Sequence, residues 1–106
     1  MEKVGFIYKI RPEMKEEYKK AHDNIWPELK KAIKECGINN WSIYFSDDGT
    51  MFSYFETENF EKSMNQLGSM EINTKWQNYM EKFFVKNKKD IVGPEIQMLE
   101  NVFYLR

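Results

Sequence analysis

Two β-rich runs, Ile38–Ser46 and Met51–Thr57, meet at Asp47-Asp48-Gly49-Thr50, and this stretch constrains the fold more than any other. Asp-Gly between runs of β-branched and aromatic residues is a strong hairpin signal, because glycine supplies the left-handed backbone a tight connection needs. The hairpin carries bulk on both faces. Trp41, Ile43 and Phe45 alternate with Tyr44, while Phe52 and Tyr54 alternate with Met51 and Phe55. Successive side chains point to opposite sides of a strand, so both faces of the sheet holding this hairpin must be buried.

The flanking segments supply a cover for one face only. Val4–Ile10 reads as a strand ended by Arg11-Pro12, with proline tolerated in the first turn of the helix that follows. From Glu13 to Cys36 the apolar residues Met14, Tyr18, Ala21, Ile25, Leu29, Ala32 and Cys36 recur every three or four positions, the spacing of an amphipathic helix. Pro27 has no N–H for the Asp23 carbonyl and kinks or restarts that helix, and Gly37 ends it. Asn59–Leu67 and Met70–Phe84 read as helical pieces broken at Gly68-Ser69, where Ser69 is placed to cap the second. A loop over Val85–Pro94 then leads to a last strand, about Gln97–Tyr104.

The order β-α-β-β-α-β is the split βαβ arrangement of ferredoxin-like α+β folds. Its two helical segments cover one face of a four-stranded antiparallel sheet. A second copy packed sheet to sheet is the economical cover for the other, otherwise an oversized apolar patch, so a homodimer forming an α+β barrel is expected. With 106 residues and no repeat or linker, residues 1–106 read as a single domain.

Composition removes whole classes of function. Charged residues make up 31% of the chain, yet the net charge is −1, so there is no electrostatic footprint for nucleic acid or a membrane surface. The basic run Lys86-Asn87-Lys88-Lys89 is countered by Asp90 and Glu95 and reads as a solvated loop. Cys36 is the single cysteine, which precludes an internal disulfide. The start, Met1-Glu2-Lys3-Val4, lacks a signal-peptide layout and no apolar run is long enough to span a bilayer; a cytoplasmic protein is expected. One histidine and one cysteine make no ordinary zinc or iron site, and glycines scattered singly make no phosphate loop. No metal or other cofactor is therefore expected, although one axial imidazole is enough to keep haem open.

His22, the only histidine, is the residue with chemistry to offer. Its unperturbed pKa lets it both give and take a proton near neutral pH. On an unbroken helix it lies roughly 60° from the centre of the apolar stripe, at the border, with Tyr18 one turn before and Trp26 one turn after. A histidine there is more often a packing residue than a catalyst, and Trp26, Trp41 and Trp76 are each more often core or interface than ligand platform. Cys36, on the stripe near a helix C-terminus, makes a poor nucleophile. The Asp23 carbonyl or carboxylate is a candidate partner to fix the imidazole tautomer.

Four segments carry a resemblance. His22-Asp23-Asn24-Ile25-Trp26-Pro27-Glu28-Leu29, Asn40-Trp41-Ser42-Ile43-Tyr44, Lys75-Trp76-Gln77-Asn78-Tyr79-Met80 and Val102-Phe103-Tyr104-Leu105 resemble the L-rhamnose mutarotase family in content and spacing, over essentially the whole chain. The resemblance implies a cytosolic homodimer that interconverts the anomers of a deoxy sugar. It places His22 at the position of the proton donor, and Tyr18, Trp41 and Trp76-Gln77 at sugar-contacting positions. Two departures stand out: the family commonly has tyrosine where this chain has Trp41, and a second tryptophan where it has Gln77. Both touch the expected sugar pocket, so reaction type is better supported than the identity of the sugar, rhamnose, fucose or another aldose.

The chemistry implied is acid–base opening and closure of a hemiacetal ring, with His22 alternating as base and acid and Tyr18 placing or relaying a proton. Trp76, Trp41 and Trp26 are the rings available to stack on the sugar, and Gln77 can bond a hydroxyl. Such assistance is worth about 10²–10⁴-fold, roughly 3–5 kcal/mol. Two other readings suit the same fold class: a haem-binding or cofactor-free monooxygenase, and a non-enzymatic sugar-binding module.

Overall fold

The computed structural model describes residues 1–106. Strand β1 (Glu2–Lys9) is followed by a 3-10 turn at Pro12–Met14 and helices α1 (Lys15–Asp23) and α2 (Pro27–Glu35). Strands β2 (Asn39–Phe45) and β3 (Thr50–Thr57) form the hairpin, and helices α3 (Phe60–Gly68) and α4 (Glu71–Met80) come next. A 3-10 turn at Glu81–Phe83 and a long loop lead to β4 (Gln97–Leu99). The strands lie in the order β2-β3-β1-β4, all pairs antiparallel, which is the ferredoxin-like topology.

Each of the two helical segments is a pair of helices. At Pro27 the chain restarts rather than kinks: Trp26 takes an extended conformation (φ −60°, ψ 129°), as residues before proline do, and Pro27 opens α2. Gly37 (φ 77°) closes α2 in a Schellman motif, with Ile38 N–H donating to the Ile33 carbonyl and Gly37 N–H to that of Lys34. The Cys36 carbonyl accepts a hydrogen bond from the Ser63 hydroxyl at 2.7 Å, and Ser63 in turn accepts from Thr57 at 2.6 Å. That buried chain ties α2 and α3 to β3. Ser69 does not cap α4. Its hydroxyl donates to the Gln66 carbonyl and it terminates α3, leaving Met70 as the first flanking residue of α4.

The hairpin turns through Asp47-Asp48-Gly49, with Gly49 N–H bonded to the Ser46 carbonyl and Thr50 N–H to the Asp48 carboxylate. Glycine is required there: Gly49 has φ 92°, and an added Cβ would lie 2.3 Å from the Ile10 carbonyl oxygen.

All four helices lie on one face of the sheet. Val4, Phe6 and Tyr8 of β1 and Met51 and Phe55 of β3 point into them and are buried with Leu29, Ile38, Leu67, Met80 and Phe83. On the opposite face the register aligns Tyr44, Phe52 and Ile7 in one row and Ser42, Tyr54, Gly5 and Leu99 in the next. Tyr44 and Phe52 are exposed there, and so is Leu99.

The last strand is shorter than its sequence suggests. The sequence predicts extended, paired backbone over residues 97–104, but β4 ends at Leu99 and its pairing with β1 is confined to Gly5–Ile7. Beyond it Val102, Phe103 and Leu105 are exposed, while Tyr104 lies under the Lys3 ammonium at 4.1 Å. At the other boundary α4 ends at Met80, and Phe84 is drawn out to bridge Ile10 at the end of β1. No helix is long and apolar enough to cross a membrane.

Candidate active site

Between the helices and the sheet lies a cleft of about 940 Å³, with mostly apolar walls. That volume and lining suit a small organic ligand. Tyr18, His22, Trp41, Trp76 and Gln77 all line it, although they come from α1, β2 and α4.

α1 contributes the reactive pair. Tyr18 and His22 sit one turn apart on the edge that faces the cleft, with ring centroids 4.4 Å apart. His22 Nδ1 lies 3.0 Å from the Tyr18 carbonyl oxygen. Helical side chains lean toward the preceding turn, so the ring reaches back rather than forward. The tautomer partner is thus the Tyr18 carbonyl and not Asp23, whose carboxylate instead pairs with Lys19 at 3.1 Å in solvent. A carbonyl only accepts, so in neutral His22 the proton is on Nδ1 and Nε2 holds the lone pair. Burial pushes the His22 pKa down, against the opposing pull of the Tyr18 carbonyl bond and the Asp23 charge. The imidazole is a base at rest.

α4 supplies the far wall. Trp76 is 7% exposed and presents to His22 nearly at right angles, with centroids 5.6 Å apart. Trp26 is not on the cleft wall. It stands behind Trp76 (5.1 Å, 85°) and beside Tyr79, because the extended residue before Pro27 carries its side chain out of the α1 edge. Its part is to brace Trp76. Gln77 reaches the cleft next to Asn73, whose Oδ1 accepts from its Nε2 at 3.4 Å.

Trp41 enters from β2 through an irregularity. Between Asn39 and Ser42 the pairing with β3 shifts, and Asn40 takes φ 52°, its amide held by Glu56 at 2.9 Å. Such bulges re-aim a side chain. Here Trp41 packs over Phe55 (4.9 Å), and its indole N–H donates to the buried Ser53 hydroxyl at 2.8 Å. The indole donor is therefore engaged by the protein, and what Trp41 offers a ligand is its ring face.

Sequence reasoning missed several lining residues. Tyr8 carries no sequence signal beyond its place in a strand, yet its hydroxyl is bonded to that of Tyr18. Asn73 carried no signal beyond a polar helix residue. The loop after Phe84 is more than solvated charge: Val92, Pro94 and Ile96 line the cleft. Lys86 is nearly buried in that loop, paired with Glu81 and donating to the Ile91 carbonyl at 2.8 Å. Cys36, packed against Met70, has its thiol pKa raised chiefly by burial, so it stays a core residue.

The model of the L-rhamnose mutarotase family matches residues 3–105. The chain belongs to that family. An L-rhamnose mutarotase from Listeria monocytogenes is 39% identical over 106 residues, covering 99% of each chain. The crystal structure of L-rhamnose mutarotase FA22100 from Formosa agariphila superposes with a TM-score of 0.85 at 30% identity, over the full length of both. A putative antibiotic biosynthesis monooxygenase from Nitrosomonas europaea aligns with a TM-score of 0.62 at 12% identity, over 96% of this chain and 100% of that one; that likeness is one of fold. The Formosa agariphila protein shares this chain's length and architecture, and the Listeria relative shares its length.

Proposed function

We propose that this protein is a cofactor-independent isomerase that interconverts the α and β anomers of a deoxy aldose, L-rhamnose before others, with His22 moving the proton. The observation that carries the reading is the imidazole itself. Its Nδ1–H is tied to the helix, its Nε2 lone pair is free, and it stands in an aromatic cleft in a chain of the mutarotase family.

Anomer exchange needs little else. Nε2 takes the proton from the anomeric hydroxyl as the C1–O5 bond breaks and the C1 carbonyl forms. The imidazolium then gives that proton to O5. Rotation about C1–C2 presents the other carbonyl face, and the same steps in reverse reclose the ring, with no net proton or electron gained. The rings of Trp76 and Trp41 suit the C–H face of a sugar and keep bulk water away from the imidazole. Gln77 and Asn73 supply amide donors and acceptors for hydroxyls. Tyr18 positions the reacting oxygens.

The working unit of this reading is a homodimer in the cytoplasm, each copy using residues 1–106 as one domain. A sheet face with exposed Tyr44, Phe52 and Leu99, and an apolar tail at Val102–Leu105, support closure by a second copy. A free, buried Cys36 thiol suits a reducing compartment.

Magnetisation-transfer NMR on equilibrated sugars tests the activity directly. Trace protein should speed exchange between the anomers of L-rhamnose above the spontaneous rate, and a panel with fucose and glucose ranks the substrates. Exchange at the spontaneous rate for every sugar would reject the mutarotase reading.

A further inference from the structure

We propose that Tyr8 is a positioning residue for the anomer exchange, holding the Tyr18 hydroxyl so that it can donate a hydrogen bond to one sugar oxygen and accept from the other in turn. The inference rests on the mutarotase reading and deepens it.

Tyr8 stands on β1 and Tyr18 on α1, and their hydroxyls are hydrogen-bonded to each other. Both side chains are 6% exposed and both line the cleft. Neither ring is free to swing. Tyr8 is wedged between Phe6 (6.1 Å) and the edge of Phe84 (6.0 Å), and Tyr18 between His22 (4.4 Å) and the edge of Phe83 (5.5 Å). No other protein group bonds either oxygen. The pair owns two protons: one bridges the oxygens, and the other is left for a molecule in the cleft.

Two arrangements follow from one pair. When Tyr8 donates to Tyr18, the Tyr18 proton points to the cleft and stabilises an oxygen that is gaining negative charge. When Tyr18 donates to Tyr8, a Tyr18 lone pair faces the cleft and accepts from an oxygen that still carries hydrogen. Rotation of the two hydroxyls interconverts them without ionising either phenol. Burial supports this, raising the Tyr8 pKa to about 12 and the Tyr18 pKa further, so both stay protonated at neutral pH. Mutarotation needs such reversal, since O5 gains the proton on opening and O1 gains it on closure. A lone tyrosine in an apolar wall has no internal partner for whichever group the sugar does not use.

The test is a double-mutant cycle read by magnetisation-transfer NMR on L-rhamnose. Tyr8→Phe keeps the ring and removes one oxygen. It should lower kcat about tenfold, the worth of one hydrogen bond of about 1.4 kcal/mol, while KM stays within about twofold. In a Tyr18→Phe background the same change should leave kcat unaltered, because the oxygen it served is gone. Tyr8→Leu, which removes ring and hydroxyl together, should show the same coupling to Tyr18. Tyr8→Phe with unchanged kcat, or with an equal loss in both backgrounds, overturns the proposal. A wild-type protein with no exchange on any sugar would instead reject the mutarotase reading beneath it.

Discussion

Replacing His22 with asparagine separates the two ends of the imidazole. The asparagine amide N–H sits where Nδ1–H was, so the bond to the Tyr18 carbonyl, now 3.0 Å long, can be kept while Nε2 is lost. If Nε2 is the proton carrier, the rate should fall by about 10²–10⁴, a barrier rise of roughly 3–5 kcal/mol. The stability loss should be smaller. A ring is removed from between Tyr18 and Trp76, at 4.4 and 5.6 Å, and each aromatic contact is worth about 0.5–1.5 kcal/mol. The total, about 1–3 kcal/mol, leaves a chain of this size folded at room temperature if its stability is ordinary. Magnetisation transfer at saturating sugar reads the rate, and a circular-dichroism melt on the same sample reads the fold. His22→Ala should lose as much rate and melt no higher than His22→Asn. A folded asparagine variant that exchanges anomers within threefold of wild type refutes the imidazole mechanism outright.

Four further outcomes are expected. Because burial lowers the His22 pKa below 6.5, kcat/KM should hold steady from neutral pH down past that value and fall only beneath it. The same shift makes the unfolded chain bind the proton first, so this residue's contribution to stability rises with pH between the folded and unfolded pKa values and is level above them; urea titrations of wild type against His22→Asn should show the wild-type advantage narrowing as pH falls through that window. Gly93→Ala puts a side chain at φ 83° and a Cβ 2.9 Å from the Gln77 Oε1, which should destabilise by about 1–2 kcal/mol and raise KM several-fold with kcat little changed; an unaltered KM would detach the loop from the sugar site. In sedimentation velocity the wild type should run as a dimer and Phe52→Glu, on the open sheet face, as a monomer; a wild-type monomer would remove the homodimer from the account.

Much of the architecture was legible because it depends on local rules. Alternation marks the strands, a spacing of three to four marks the helices, and Asp48-Gly49 marks the turn. The errors fall where local rules tie. Ser69 has a hydroxyl suited to either helix, and it closes the one before it, since the Gln66 carbonyl is within its reach. The tail from 100 onward has the composition of a strand, but composition does not fix pairing, and only Gln97–Leu99 pair with β1. At the site, His22, Tyr18, Trp41, Trp76 and Gln77 share one cleft, whereas Trp26 braces from behind and the Asp23 carboxylate pairs with Lys19 rather than with the imidazole.

What the chain order determines by itself is the set of elements and the residues able to move a proton or stack on a ring, because periodicity and side-chain chemistry are properties of short segments. That Tyr8 meets Tyr18 and that Trp41 has its indole N–H engaged by Ser53 were decided only by tertiary structure, whereas the free nitrogen of His22 follows from a contact one turn back in its own helix. The first two facts depend on groups 10 and 12 residues apart coming within hydrogen-bond distance. Hydrogen bonds act over about 3 Å and care about angle, so their partners are chosen by how the helices settle on the sheet.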